Sequence, residues 1–213
     1  MTRDISQIRR EYAGKYLNEK TAGNDPIQLF NQWFDEAVQA EVVDANAFTL
    51  STIGENGRPD GRIVLIKGVE KGKFIFYSNY ESKKGKDLAM NPVASMTFYY
   101  KELNRQIRVE GTIEKTGAST SDQYFSTRPL PSRIGAWISS QSQPIPSRIH
   151  LMRKFAAFSL KNIGQTIQRP PFWGGYALKP DHIEFWQGRP NRLHDRINFK
   201  LADNTWLIER LSP

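Results

Sequence analysis

Along this chain the spacing of apolar residues changes from a helical period to a strand period and back. Ile5 to Tyr16 has the make-up of a short charged helix, and a Lys/Gly/Asn-rich connection then ends at Asp25-Pro26. Asp caps free N–H groups and Pro suits the first helical position. Leu29, Phe30, Trp33, Phe34, Ala37 and Val38 follow at helical spacing, which predicts a second helix packed on a core. From Ala47 the period shortens. AFTLSTI, the turn-forming GENGRP, GRIVLIKG and KFIFYSN predict three strands in a meander. Ser82 to Met90 predicts a short basic helix stopped by Asn91-Pro92, and VASMTFYY and RQIRVEGTIEKT predict two further strands. Helices are expected at Ser119 to Ser126, Ser132 to Ser139 and Ser147 to Asn162. Short aromatic strands are expected near Trp173 to Leu178, His182 to Trp186, Arg192 to Phe199 and Trp206 to Leu211.

Strands broken by helices, without regular βαβ alternation, predict a mainly β fold: an antiparallel barrel with peripheral helices. A length of 213 residues with 38% hydrophobic content fits a single domain. Gln165 to Pro171, with its Pro-Pro, is the expected flexible loop.

Composition narrows the partners. A net charge of +8 points to an anion: nucleic acid, a membrane surface or phosphorylated small molecules. Twelve Phe, eight Tyr and five Trp suit either strands or a site that grips planar rings. With no cysteine, disulfides, thiolate metal sites and cysteine nucleophiles are excluded. The beginning MTRDISQIRREY lacks an apolar run, and no stretch approaches about 18 consecutive apolar residues, so neither a signal peptide nor a membrane span is expected. A cytoplasmic location follows as an expectation. G-x-G-x-x-G, G-x-x-x-x-G-K-[ST] and G-x-S-x-G are all missing, and His150, His182 and His194 are too scattered for a metal site. Any redox chemistry would then need an organic cofactor.

Four groups of residues can carry chemistry. On a strand, Arg192, His194 and Arg196 would share one face, a row that repels itself unless an anion or an electron-rich ring lies against it. The same row also suits a solvated edge strand, and spacing alone leaves both readings open. Arg62 and Lys67 bracket an apolar strand. Strict alternation puts them on opposite faces, so service to one site requires a bend or a ligand wrapped around the strand end. Ser82-Lys83-Lys84 opens a helix where free N–H groups and two cations can cradle phosphate, though the pattern is common on surfaces. Tyr124, Arg128 and Ser132 recur every four residues, as an anion clamp would, but Ser132 equally suits a helix cap. Gln106, Gln141 and Ser142 offer neutral hydrogen bonds to a heterocycle.

Taken together, RREY, RIVLIK, YSN followed by SKK, RQIRVEG, YFSTRP followed by SRIGAW, SSQS, PFWGG and IEFWQGRPNRLHDR closed by W-x-I-x-R-L-x-P resemble the pyridoxine/pyridoxamine 5'-phosphate oxidase family, in order and over essentially the whole chain. The resemblance implies a single FMN-binding split-barrel domain, 1–213, with 1–24 a mobile N-terminal segment and 170–213 a dimerisation region. It implies a homodimer with FMN at the subunit interface, oxidising pyridoxine 5'-phosphate or pyridoxamine 5'-phosphate with O2. Carried over, the FMN positions are Arg62, Ile63, Val64, Leu65, Lys67, Tyr77, Ser78, Lys83, Lys84, Gln106, Gln141, Ser142, Trp186 and Arg196. Lys67, Tyr124, Arg128 and Ser132 would meet the substrate phosphate. Arg192 and His194 would face the substrate ring as the catalytic pair, with Arg9, Arg10, Glu11 and Tyr12 as a mobile cover. Lys83 departs from the pattern, since similar proteins often have Arg there, and a point charge replaces a bidentate fork. Neither nucleic acid nor membrane is an implied partner. The rival readings are another split-barrel flavin reductase and a nucleic-acid-binding module that stacks bases on its sheet.

Overall fold

The computed structural model describes residues 11–12 and 14–213. The helix expected from Ile5 falls for the most part outside the described residues, and those described between Glu11 and Tyr16 are not helical. A four-residue helix, α1 (Glu19–Ala22), is closed by a capping box in which Asn18 and Thr21 exchange hydrogen bonds of 2.9 and 3.0 Å. In α2 (Pro26–Gln39) the Asp25 carboxylate accepts from the N–H groups of Ile27 and Gln28, and Leu29, Phe30, Trp33 and Ala37 are buried. The meander follows as β1 (Ala47–Ile53), β2 (Pro59–Glu70) and β3 (Lys73–Asn79). After α3 (Lys83–Met90) come β4 (Val93–Tyr100), β5 (Arg105–Lys115), and the helices α4 (Ala118–Thr127), α5 (Leu130–Ile138) and α6 (Arg148–Lys161). The chain ends with β6 (Trp173–Gln187), β7 (Asp195–Ala202) and β8 (Thr205–Arg210).

The strands pair in the order β3-β2-β1-β4-β5-β6-β7-β8, and β3 also pairs with β6. Six strands thereby close an antiparallel barrel, with β7 and β8 extending the sheet as a hairpin. The mainly β barrel with peripheral helices read from the pattern is the fold observed.

Three local expectations are corrected. The strands read at Trp173 to Leu178 and His182 to Trp186 are one strand, β6. Pro180 falls between the stretch registered with β3 and the stretch registered with β7. The strand read from Arg192 begins only at Asp195. Pro190–Arg192 instead form a 3-10 turn in which Asn191 (φ 54°) and Arg192 (φ 60°) are left-handed, which destroys the alternation that would have aligned Arg192, His194 and Arg196. Ser132 does not cap α5 either; Pro129 holds the cap position and Ser132 lies in the first turn. Gln165 to Pro171 is irregular, with Ile167 buried.

The described residues pack as two compact units. One comprises the described residues up to 49, with 95–110 and 180–213. Its core joins Phe30 and Phe48 to Phe98 at 5.2 and 5.3 Å between ring centres, and Phe185 to Trp33 and Phe199 edge to face. The other comprises 50–94 and 111–179. Its buried Phe125, Ile134, Ile167 and Trp173 gather the inner faces of α4, α5 and α6.

In this second unit the start of α3 lies hard against the chain before it. A Cβ on Gly85 would stand 2.1 Å from the Tyr80 carbonyl oxygen and 2.8 Å from that of Asn79. Backbone cannot yield as a side-chain tip can, so Gly85→Ala is expected to destabilise by about 2–3 kcal/mol, the upper part of the overpacking range. Urea denaturation checks this, and an unchanged midpoint would remove the close approach.

Candidate functional site

In the unit formed by 50–94 and 111–179, β2, β3, α3, α4 and α5 surround a cavity of about 710 Å³. Ile63, Val64, Leu65 and Lys67 line it from β2, and Tyr77 and Ser78 from β3. A regular strand offers every second side chain to one side. Here the register steps from Ile66 opposite Phe76 to Gly68 opposite Ile75, so Lys67 stands at a bulge that re-aims the strand. Ile63, Leu65 and Lys67 alternate onto one side of the strand, and Arg62 does not line the cavity, so the two cations that bracket the strand do not share it. Lys67 is exposed and has no hydrogen bond or ion pair among the described residues.

Tyr124, Arg128 and Ser132 come together along the same cavity. Tyr77 stacks on Tyr124 at 3.8 Å between ring centres, and Tyr124 lies 6.2 Å from Trp173 and nearly parallel to it. The Arg128 guanidinium sits 4.5 Å above the Trp173 ring. Its Nη1 is buried with no hydrogen-bond partner, and loss of solvent lowers its pKa. A desolvated guanidinium N–H without an acceptor is costly, and an oxyanion of a ligand would satisfy it.

Lys84 presents a second cation to the cavity. It is only 9% exposed, and its Nζ donates to Ser82 Oγ and to Gln141 Oε1, both at 3.3 Å. Both acceptors are neutral. Burial, and then the Arg62 charge, lower its pKa. Ser142, beside Gln141, is exposed and does not line the cavity. Nor do Arg62 and Lys83, whose partners are Asp60 and Asp87.

The remaining predicted residues that are described belong to the other unit. Arg9 and Arg10 lie outside the described residues. Tyr12, Trp186 and His194 form a cluster of rings, with centres 5.6 Å (Tyr12 to Trp186), 5.4 Å (Tyr12 to His194) and 4.7 Å (Trp186 to His194) apart. Gly188 permits this approach, since a Cβ there would lie 2.7 Å from the Tyr12 ring. His194 Nδ1 accepts a hydrogen bond from the Arg189 N–H at 3.1 Å, which leaves the ring proton on Nε2. Burial and the neighbouring Arg192 lower its pKa, so the imidazole is neutral at pH 7. Arg192 itself is exposed and without an ion pair among the described residues. Arg196 is held by the buried Glu184 at 2.7 Å and donates to the Ser212 carbonyl at 2.9 Å. Glu11 is exposed and Gln106 half-buried on β5.

Sequence reasoning missed Asn79, Thr127, Ser139 and Trp173 in the cavity wall, and Glu184 and Arg189 as supports. Trp173 was within reach, standing inside the PFWGG segment. Glu184 carried no signal, because a carboxylate alternating along an apolar strand normally faces water.

Residues 34–162 match the family model described as pyridoxamine 5'-phosphate oxidase, and residues 173–213 that described as the pyridoxine 5'-phosphate oxidase C-terminal dimerisation region. A pyridoxine/pyridoxamine 5'-phosphate oxidase from Neisseria gonorrhoeae is 48% identical over 210 residues, 99% of this chain and 100% of that protein. One from Burkholderia lata is 51% identical over 212 residues, 98% and 99% of the two chains. Among solved structures, PhzG from Burkholderia lata 383, in complex with tetrahydrophenazine-1-carboxylic acid, aligns with a TM-score of 0.88 at 28% identity over 94% of this chain and 99% of that one. A pyridoxamine 5'-phosphate oxidase-related, FMN-binding protein from Nostoc punctiforme shares the fold, with a TM-score of 0.70 at 17% identity over 86% and 97% of the two chains.

Proposed function

We propose, since the chain belongs to the pyridoxamine 5'-phosphate oxidase family, that it oxidises pyridoxine 5'-phosphate or pyridoxamine 5'-phosphate to pyridoxal 5'-phosphate with FMN and O2. Hydrogen peroxide is the second product, and the amine substrate also releases ammonia. The observation that carries this reading is the buried, unpartnered Arg128 Nη1 beside the Tyr77, Tyr124 and Trp173 rings. A phosphorylated planar molecule meets both needs at once: an oxyanion for the guanidinium and a flat face for the rings.

The cofactor fits the same chemistry. Lys84, buried with only neutral hydrogen-bond acceptors, suits a phosphate, and Gln141 suits a heterocycle or its side chain. The chemistry FMN supplies when bound is acceptance of a hydride from the substrate C4' carbon and return of the electron pair to O2, which leaves as hydrogen peroxide. This chain's own residues bind and orient. Lys67, Tyr124, Arg128 and Ser132 are assigned to the substrate phosphate, fixing the distance of C4' from the cofactor. Arg192 is assigned to charge that develops on the pyridine ring, and the Nε2–H of His194 to a hydrogen bond with the substrate. Glu184 fixes Arg196 for the flavin, and Tyr12 and Trp186 shield the ring from water. No residue is assigned as general base.

The match of residues 173–213 to a dimerisation region supports a homodimer, and we place the cofactor at its interface. Exposed Ile63 and Leu65 on β2 are an apolar surface that a partner chain would cover. Flavin should therefore dissociate as the protein is diluted below its dimer constant. Flavin fluorescence read beside sedimentation checks it, and an isolated monomer that kept FMN with full affinity would disprove the interfacial site. A cytoplasmic location completes the proposal.

The decisive experiment is the visible spectrum of the purified protein followed by oxygen uptake. A yellow protein that consumes O2 with pyridoxine 5'-phosphate and ignores NADH is the expected result. NADH oxidation without use of the phosphorylated vitamers would instead identify a flavin reductase. A colourless protein with salt-steep oligonucleotide binding would identify a nucleic-acid module.

A further inference from the structure

Two of the cations that the family likeness assigns to FMN are already engaged within the chain. Arg62 lies on β2, Lys83 opens α3, and Asp60 sits between them. Asp60 Oδ2 is 2.5 Å from Arg62 Nη2 and 2.9 Å from Lys83 Nζ. Asp87 completes the group, 3.1 Å from Lys83 and 3.8 Å from Arg62. Thr52 ties it together, donating to Asp87 at 2.8 Å and accepting from Arg62 Nη1 at 2.7 Å. Two cations and two carboxylates cancel, and neither Arg62 nor Lys83 lines the cavity. Lys84, one residue further on, does line it, and its hydrogen-bond acceptors are neutral.

We propose that Asp60 is a resident counter-anion that occupies the oxyanion position between Arg62 and Lys83, so that the cofactor phosphate depends chiefly on the Lys84 already assigned to it. This rests on the flavin reading above. A phosphate near the group must displace a carboxylate or remain outside a neutralised cluster. In either case Arg62 and Lys83 contribute less than two unpaired cations would. The two carboxylates differ in exposure. The Asp87 side chain is 8% exposed and bound by Thr52, whereas that of Asp60 is 37% exposed. The Lys83 hydrogen bond holds the Asp60 carboxyl below its ordinary pKa, and Asp60 in turn holds Lys83 above its own. The pair therefore stays charged near neutral pH. Asp60 thereby makes phosphate recognition weaker and less dependent on position 83, where a point charge stands.

FMN and riboflavin differ only in the phosphate, so the ratio of their dissociation constants for the full-length apoprotein isolates its recognition. Asp60→Asn removes the charge at nearly constant shape. It should raise the preference for FMN about tenfold and leave riboflavin unchanged, the size of one charge-assisted hydrogen bond. Lys84→Met should lower the preference by about tenfold or more. Lys83→Met should change it less than Lys84→Met does. An Asp60→Asn protein whose preference is unchanged or reduced would overturn the proposal, and so would a preference that depends on Lys83 more than on Lys84. If the parent protein bound neither flavin, the flavin reading would fall separately. Asp60 is then tested with inorganic phosphate alone, which should raise the melting temperature of Asp60→Asn more than that of the parent; equal shifts would refute its role.

Discussion

Arg128→Ala is expected to weaken phosphorylated substrates about 10- to 150-fold while leaving unphosphorylated pyridoxine nearly unaffected. The range follows from one charge-assisted hydrogen bond, roughly 1.5–3 kcal/mol. The structure supplies the reason to choose this residue. Arg128 has no carboxylate partner among the described residues, its Nη1 is buried and unpartnered, and it rests on the Trp173 ring. Truncation also removes that packing, which would affect both substrates alike, so their ratio reports the phosphate contact. Folding should not suffer in proportion. Removing a desolvated cation that has no counter-ion relieves a cost, and Arg128→Met, which keeps the apolar stem, should melt no lower than the parent. Apparent KM for both vitamers, measured beside thermal denaturation, checks these outcomes. Equal losses for phosphorylated and unphosphorylated substrates would remove Arg128 from the phosphate site.

The second large effect is expected at Arg192. Its side chain is exposed and unpaired among the described residues, so Arg192→Met should fold and bind FMN as the parent does. Turnover should fall about 100- to 1000-fold, the cost of losing one electrostatic contact that strengthens as charge develops. For such a contact kcat and kcat/KM fall together, whereas a contact made equally in the bound substrate raises KM alone. Anaerobic single-turnover reduction of the flavin isolates this step from reoxidation. Reduction at the parental rate would exclude Arg192 from the chemistry. His194, fixed by the Arg189 N–H, should keep its orientation in the variant.

Periodicity made the architecture legible where elements are long and one-sided. The stripe Leu29, Phe30, Trp33 and Ala37 and the cap Asp25-Pro26 located α2 correctly, and the alternating runs located β1 to β5. The reading failed where backbone conformation departs from its local signals. Trp173 to Leu178 and His182 to Trp186 were read as separate strands, yet the residues between them, Pro180 included, fall where the single strand β6 changes partner. Arg192 was taken as the start of a strand although it and Asn191 are both left-handed, and only Asn carries a recognisable preference for that conformation. The clamp of Tyr124, Arg128 and Ser132 was visible as a spacing, while the ring stack that frames it required Tyr77 and Trp173 from distant strands. As cations opening a helix, Lys83 and Lys84 carried the same signal, although the resemblance marked position 83 as one where Arg is usual. Only their surroundings separate them, since Asp60 and Asp87 neutralise one and leave the other beside neutral oxygens.

With Arg192 in the role proposed for it, the left-handed pair would make Asn191-Arg192 a place where heat resistance and turnover are selected in opposite directions. A non-glycine residue in that conformation costs roughly 1–2 kcal/mol, less for Asn and none for Gly. Position 192 would therefore reward glycine in any screen that ranks variants by survival on heating, because the side chain it discards is exposed and has no ion pair among the described residues. A directed-evolution campaign scored on thermal survival alone would enrich that exchange and lose the oxidase, whereas one that scores product would hold the strained arginine in place.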